Sequence, residues 1–159
     1  MKIFVICLYF LIFSFDVFAE CTNTSNRIVK GAEPLASKLY EAAKNTEMGA
    51  WKNGTFHEEI FTYLGDLTRK DGTVIHVTYV DTTWCTSTYR GTYRLIFFNE
   101  QMDQVGQYNS IQKPAFIGPN KLEIPYDDDP VTIWEFGGKL PVCLEVSDDC
   151  FSLQNGKEL

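Results

Sequence analysis

From position 56 onward, β-branched and aromatic residues dominate the chain, and turn-forming residues break it about every ten to fifteen positions. Such a segment folds into strands joined by hairpins, so most of the protein reads as sheet. Within it, Leu95-Ile96-Phe97-Phe98 is apolar at every position, as expected of a central strand covered on both faces.

The strands follow from the same reading. Residues 56–67 are ambiguous: Phe56, Ile60, Phe61 and Leu64 fit a helix face, whereas Ile60-Phe61-Thr62-Tyr63 favours a strand. The strand is preferred because Arg69-Lys70-Asp71-Gly72 makes a hairpin turn into residues 73–81. There Ile75, Val77 and Tyr79 share one face, with His76 and Thr78 on the other. Residues 88–98 form the next strand and 105–108 return after a turn at 99–103. Pro114, Gly118, Pro119 and Asn120 mark loops, and Leu122 and Ile124 a short strand. A last hairpin is expected between residues 131–136 and 140–146 across Gly137-Gly138. Pro141 places its second strand at an edge, with Cys143 facing outward toward Cys150.

One helix precedes the sheet. Pro34 opens it, Leu35, Leu39, Tyr40 and Ala43 line one face, and Lys38, Glu41 and Lys44 take the other until about Asn45. Residues 20–33 are polar and read as lacking an element. They hold the sequon Asn23-Thr24-Ser25, and Asn53-Gly54-Thr55 is a second, both meaningful only in a eukaryotic secretory pathway. Trp51 reads as a loop residue packed on the core. The expected fold class is α+β: one N-terminal helix packed on a mainly antiparallel, hairpin-connected sheet, with two disulfides.

The first nineteen residues read as a cleaved signal peptide. Lys2, the apolar run 3–15 and Val17-Phe18-Ala19 place cleavage before Glu20, leaving residues 20–159 as a single exported domain. The run falls short of the roughly 20 apolar residues of a membrane anchor, so no stable membrane insertion is expected after cleavage. Glu20, not a small residue, precedes Cys21, which argues against lipid attachment. Gly156-Lys157-Glu158-Leu159 misses the retrieval-signal pattern. The short basic start and Val-Phe-Ala site have a bacterial form, pointing to a periplasmic or extracellular address.

Export changes what the cysteines mean. Cys7 leaves with the leader, and Cys21, Cys85, Cys143 and Cys150 then mature where thiols oxidise. Three pairings are possible; the favoured one joins Cys21 to Cys85 and Cys143 to Cys150. A zinc site lacks a C-x-x-C pair, and no metal or other cofactor is expected. The net charge is −7, and residues 126–159 carry eight acidic side chains against two basic ones. That balance disfavours nucleic acid, which needs a basic footprint, and suits a basic partner.

Chemistry-bearing patterns are sparse. His57-Glu58-Glu59 lacks the second histidine of a zinc-protease helix, since position 61 is Phe61. His76 reads as solvent-facing on the neighbouring strand. Ser87 lacks a nucleophile elbow. Asp127-Asp128-Asp129, between Pro125 and Pro130, lacks calcium-loop spacing and reads as a solvated acidic loop that a basic partner could meet. The strongest binding candidate is the segment 84–94, where Trp84 precedes a strand with Arg90, Thr92 and Arg94 on one face and Tyr89, Gly91 and Tyr93 on the other. The competing reading puts the tyrosines in the core and pairs the arginines with nearby carboxylates.

No catalytic residue is assigned. The leading expectation is an exported binding protein whose partner is another protein, with an inhibitor or immunity factor for a basic cell-envelope enzyme as the specific form. One alternative is a small secreted hydrolase using His57 or His76 with Glu58, Glu59 or Asp81. Another is an envelope-associated structural subunit that self-associates through the 140–146 edge.

Overall fold

The computed structural model describes residues 26–45, 56–85 and 89–155. Its centre is a five-stranded sheet: β1 (Asn26–Lys30), β2 (Phe56–Thr68), β3 (Val74–Cys85), β4 (Tyr89–Asn99) and β5 (Gln104–Asn109) lie side by side in chain order. Helix α1 (Leu35–Asn45) stands between β1 and β2 in the chain. The β1–β2 pair is parallel and the other three are antiparallel. A second layer holds β6 (Ala115–Gly118), β7 (Lys121–Tyr126) and β8 (Asp129–Glu135) in one small sheet, and the hairpin β9 (Cys143–Val146) with β10 (Asp149–Ser152) in another.

The apolar run in β4 explains the layering. Successive side chains of a strand point to opposite faces. Leu95 and Phe97 pack with Leu67, Ile75, Val77 and Tyr108 against Leu122, Ile124 and Leu144 of the second layer. Ile96 and Phe98 pack with Phe61 and Val80 under Leu39, Tyr40 and Ala43 of α1. The apolar run of β4 is therefore covered on both faces, as the sequence requires. The helix buries the expected stripe, while Lys44 pairs with Glu41 at 2.6 Å on its outer side.

A β-bulge in β2 sets which residues face which layer. The register steps from Tyr63↔Thr78 to Gly65↔Val77, so Leu64 has no partner, and the facing of odd-numbered residues reverses. Phe61 thus lies beneath the helix and Leu67 beneath the second layer. Gly65 has φ +150°, and a methyl group there would sit 2.9 Å from the Phe116 ring, so glycine permits both the bulge and the approach of β6.

Several expectations are corrected. Residues 26–30, read as lacking an element, form β1, an edge strand whose pairing with β2 becomes possible once α1 returns the chain. The expected 131–136/140–146 hairpin does not form. β8 pairs with β7 and β9 with β10, while Pro141 lies before β9 and its carbonyl accepts the Tyr108 hydroxyl at 2.6 Å. His76 is buried, because the face opposite Ile75 and Val77 is also covered.

Of the two expected disulfides, one is present among the described residues. Cys143 and Cys150 are joined across the β9–β10 hairpin, with Cα atoms 5.4 Å apart. Closing so short a loop contributes about 2.5 kcal/mol in the chain-entropy treatment. Cys21 and the Cys85 side chain lie outside the described residues. No described helix is long and apolar enough to cross a membrane.

Candidate functional site

Trp84 and the stretch Gly91 to Arg94 border a cleft of about 630 Å³. β3 and β4 pair along their whole length, so Trp84 lies opposite Arg90 and Thr82 opposite Thr92. β5 follows β4 only from Phe98 to Arg94, then turns away at Ser110, which has φ +63°. Among the described residues, no strand pairs with β4 on that side before Arg94. The exposed stretch Gly91, Thr92 and Tyr93 forms one wall of the cleft. Asn109, Ser110, Gln154 and Asn155 form the other.

The walls have a defined chemistry. The Trp84 Nε1 donates to the Thr92 hydroxyl at 3.1 Å, which holds the indole across the sheet. Arg94 is buried, and its charge acts on Glu59 across the sheet. Gln107 is 3% exposed; its Nε2 donates to Asn109 Oδ1 at 2.9 Å, while its Oε1 is buried without a hydrogen-bond partner. Asn109 in turn donates to Gln154 Oε1 at 2.8 Å.

A second cleft of about 500 Å³ lies on the opposite face, where the second layer leaves the sheet uncovered. Ile60, Thr62, Tyr79, Asp81 and Tyr93 line its floor, and Gln112, Lys113 and Asp127 its wall. Tyr93 therefore borders both clefts, and its ring stacks on Tyr79 at 6.4 Å with planes 13° apart. Burial holds the Asp81 carboxyl above the usual range, reinforced by Glu58 and opposed by Lys113.

The structure thus separates the residues singled out in the sequence. Trp84 and Arg94 meet at the first cleft; Arg90 is their neighbour along the strand, and its side chain lies outside the described residues. Asp127 reaches the second cleft. Asp127 and Asp128 form the tight β7–β8 turn, and Asp129 starts β8. Two of these acids are tied down: Asp127 accepts from Gln112 Nε2 at 2.9 Å and Asp129 from the Ser147 hydroxyl at 2.7 Å. Tyr126, beside them, donates to Asp149. The acidic segment therefore joins the two small sheets as well as facing solvent. Gln107, Asn109 and Gln154 carried no signal in the sequence, because an amide in a strand reads the same whether its face is open or covered.

His76 is placed differently from expectation. Asp66 Oδ1 accepts from His76 Nδ1 and from the Tyr63 hydroxyl, both at 2.7 Å. Neither cleft includes this pair. It clasps β2 to β3 beside the bulge. The His57 side chain and Ser87 lie outside the described residues. No group of three potential metal ligands occurs among the described residues.

Among the described residues, Glu59 is the one carboxylate sunk in the sheet, 2% exposed. Its Oε1 accepts from the Tyr40 hydroxyl at 3.3 Å and faces Arg27 at 3.6 Å, while Oε2 is buried without a hydrogen-bond partner. Burial raises its carboxyl above the ordinary range despite the opposing pulls of Arg27, Tyr40, Arg94 and Lys44. The same contact and burial push the Tyr40 phenol up to about 12.

A carboxyl with a raised folded pKa binds its proton more tightly when folded. Its contribution to stability is complete below roughly pH 4.3 and falls as pH rises through the folded pKa. Glu59→Gln keeps an acceptor for Tyr40 and removes the titration. Its urea midpoint is expected to match the parent at pH 4 and exceed it at pH 8. A variant less stable than the parent at pH 8 would show that the site holds the charge through Arg27 and Arg94. Comparison of the chain with protein-family models, curated proteins and solved structures finds no match in any of the three.

Proposed function

We propose that the protein is an exported binding protein that takes an extended segment of a partner protein onto the open edge of β4. The observation that carries this reading is the overhang of β4 beyond its last β5 pair, Arg94↔Asn109. The Ser110 N–H donates to the Tyr93 carbonyl at 2.8 Å, so the Tyr93 backbone is turned toward this edge. Backbone direction alternates along an antiparallel strand, and Gly91 and Tyr89 therefore aim their N–H and C=O groups at the same edge. An added strand would continue the line that β5 abandons, with main-chain bonds supplying affinity and the flanking clefts supplying selection. The chain's net charge of −7 favours a basic partner. A basic cell-envelope enzyme, held by this protein as an inhibitor or immunity factor, is the class that suits it.

Gly91→Pro tests the edge directly. Proline is tolerated where the missing N–H faces away from the existing ladder, so the fold should persist. A heptapeptide of alternating Thr and Val with a central Gln serves as the probe, titrated calorimetrically. The lost bond leaves a peptide carbonyl unsatisfied, a cost of about 1–3 kcal/mol, or roughly 5- to 150-fold in affinity. Equal affinity in parent and variant would refute docking at this edge.

A further inference from the structure

We propose that the segment seated on β4 carries, opposite Gly91, a Lys or Arg side chain that lies against the Tyr93 ring and sets its charge on Asp81. This rests on the strand-addition reading and names the chemistry that reading selects. Cross-strand partners share a face, so the residue paired with Gly91 points to the side that holds Tyr93 and Asp81. The register places Asp81 directly opposite Tyr93 and Thr83 opposite Gly91. The backbone of an added strand lies about 10 Å from β3, two strand spacings away, a gap that a long basic side chain and the Asp81 side chain span together.

Gly91 lets the Tyr93 ring lie back along β4: a methyl group built at position 91 would sit 3.1 Å from the Tyr93 hydroxyl. A larger residue there would displace the ring against which the incoming side chain lies. Tyr93 is 40% exposed although Tyr79 stacks on it, so its ring offers surface to a cation.

The Asp81 end of this path lacks a hydrogen-bond donor among the described residues. The Asp81 carboxylate accepts no hydrogen bond among the described residues, and the Thr62 hydroxyl, buried on the floor of the same cleft, has none either. Asp127 on the wall and Glu58 beside Asp81 add negative charge, against exposed Lys30 and Lys113 at the rim. An ammonium or guanidinium supplies the donors this arrangement lacks. A carboxylate in that position would face Asp81 and Asp127 instead.

The experiment uses the full chain and three heptapeptides of alternating Thr and Val that differ only at the centre: Arg, Gln or Glu. Calorimetric titration is expected to rank them Arg, then Gln, then Glu, with Arg about tenfold tighter than Gln, as for a partly exposed charge-assisted bond. In Asp81→Asn the Arg-to-Gln ratio should fall to about one. Equal binding of the Arg and Gln peptides by the parent overturns the basic-anchor proposal and leaves strand addition standing. So does an Arg preference that survives Asp81→Asn. Failure of all three peptides to bind overturns strand addition itself, and this proposal with it. The ranking by the parent needs no variant, so the test holds even if Asp81→Asn folds poorly.

Discussion

Phe97→Ala is expected to lower the stability of the protein by about 3–5 kcal/mol, the range for removing a fully buried aromatic ring. Phe97 has no solvent exposure and stands where the central sheet meets the second layer. Its ring meets Tyr108 at 5.8 Å and Trp134 at 6.2 Å, both edge to face. Those partners come from β5 and β8, so they cannot close on the vacated space without moving two sheets. The domain's total stability falls in the range of about 5–15 kcal/mol, and this one change removes a large part of it. Urea unfolding followed by tryptophan fluorescence measures the effect, with Trp134 reporting the change next to the cavity. Val142→Ser is the control: Val142 is 82% exposed, and the expected change is within about 0.5 kcal/mol. A loss at Phe97 below about 1.5 kcal/mol would show that the two layers do not pack as described.

Leu39→Ala examines the opposite face and should cost about 2–5 kcal/mol. Leu39 is fully buried between α1 and the row Phe61, Val80, Ile96 and Phe98. The helix has eleven residues, too short to persist in water without its packing. Loss of the Leu39 contact should therefore reduce helical ellipticity as well as the unfolding midpoint. Phe97→Ala should lower the midpoint and leave the helix signal intact until unfolding. If Leu39→Ala changed the midpoint without loosening the helix, α1 would be held chiefly by its connections to β1 and β2.

These two residues also show how much of the fold was legible. The alternation of Leu95, Ile96, Phe97 and Phe98 announced a strand buried on both faces, and the helix stripe announced what covers one of them. Both are local patterns that a short window of sequence carries. The strands β2, β3 and β4 were readable for the same reason. The pairing of β7 with β8 was not, because Gly137-Gly138 is an equally good turn signal whether or not a strand follows at once. β1 went unread because five residues at a polar edge have no alternation to display. The burial of His76 depended on β2, whose Tyr63 ring meets it edge to face and whose Asp66 accepts its hydrogen bond, and neither residue lies in its own sequence neighbourhood.

The candidate site divides in the same way. Thr92 and Arg94 were placed on one face of one strand, since alternation within a strand is local, whereas Trp84 belongs to β3 and reaches Thr92 across the pair. That no strand among the described residues pairs with this edge of β4 before Arg94 was decided elsewhere, by the left-handed turn of Ser110 that carries β5 away. Asp81 was named only as a possible catalytic carboxylate, and its position opposite Tyr93 comes from the β3–β4 register.

The sequence by itself determined the secondary elements from position 56 to Asn109, the helix, and the need for cover on both faces of β4. Side-chain periodicity and turn chemistry are properties of adjacent residues, and they survive without knowledge of the rest of the chain. Tertiary structure alone decided strand partners, the burial of Glu59 and His76, and the two clefts that meet at Tyr93. Each of those depends on where a distant segment ends or turns, and no local pattern records that.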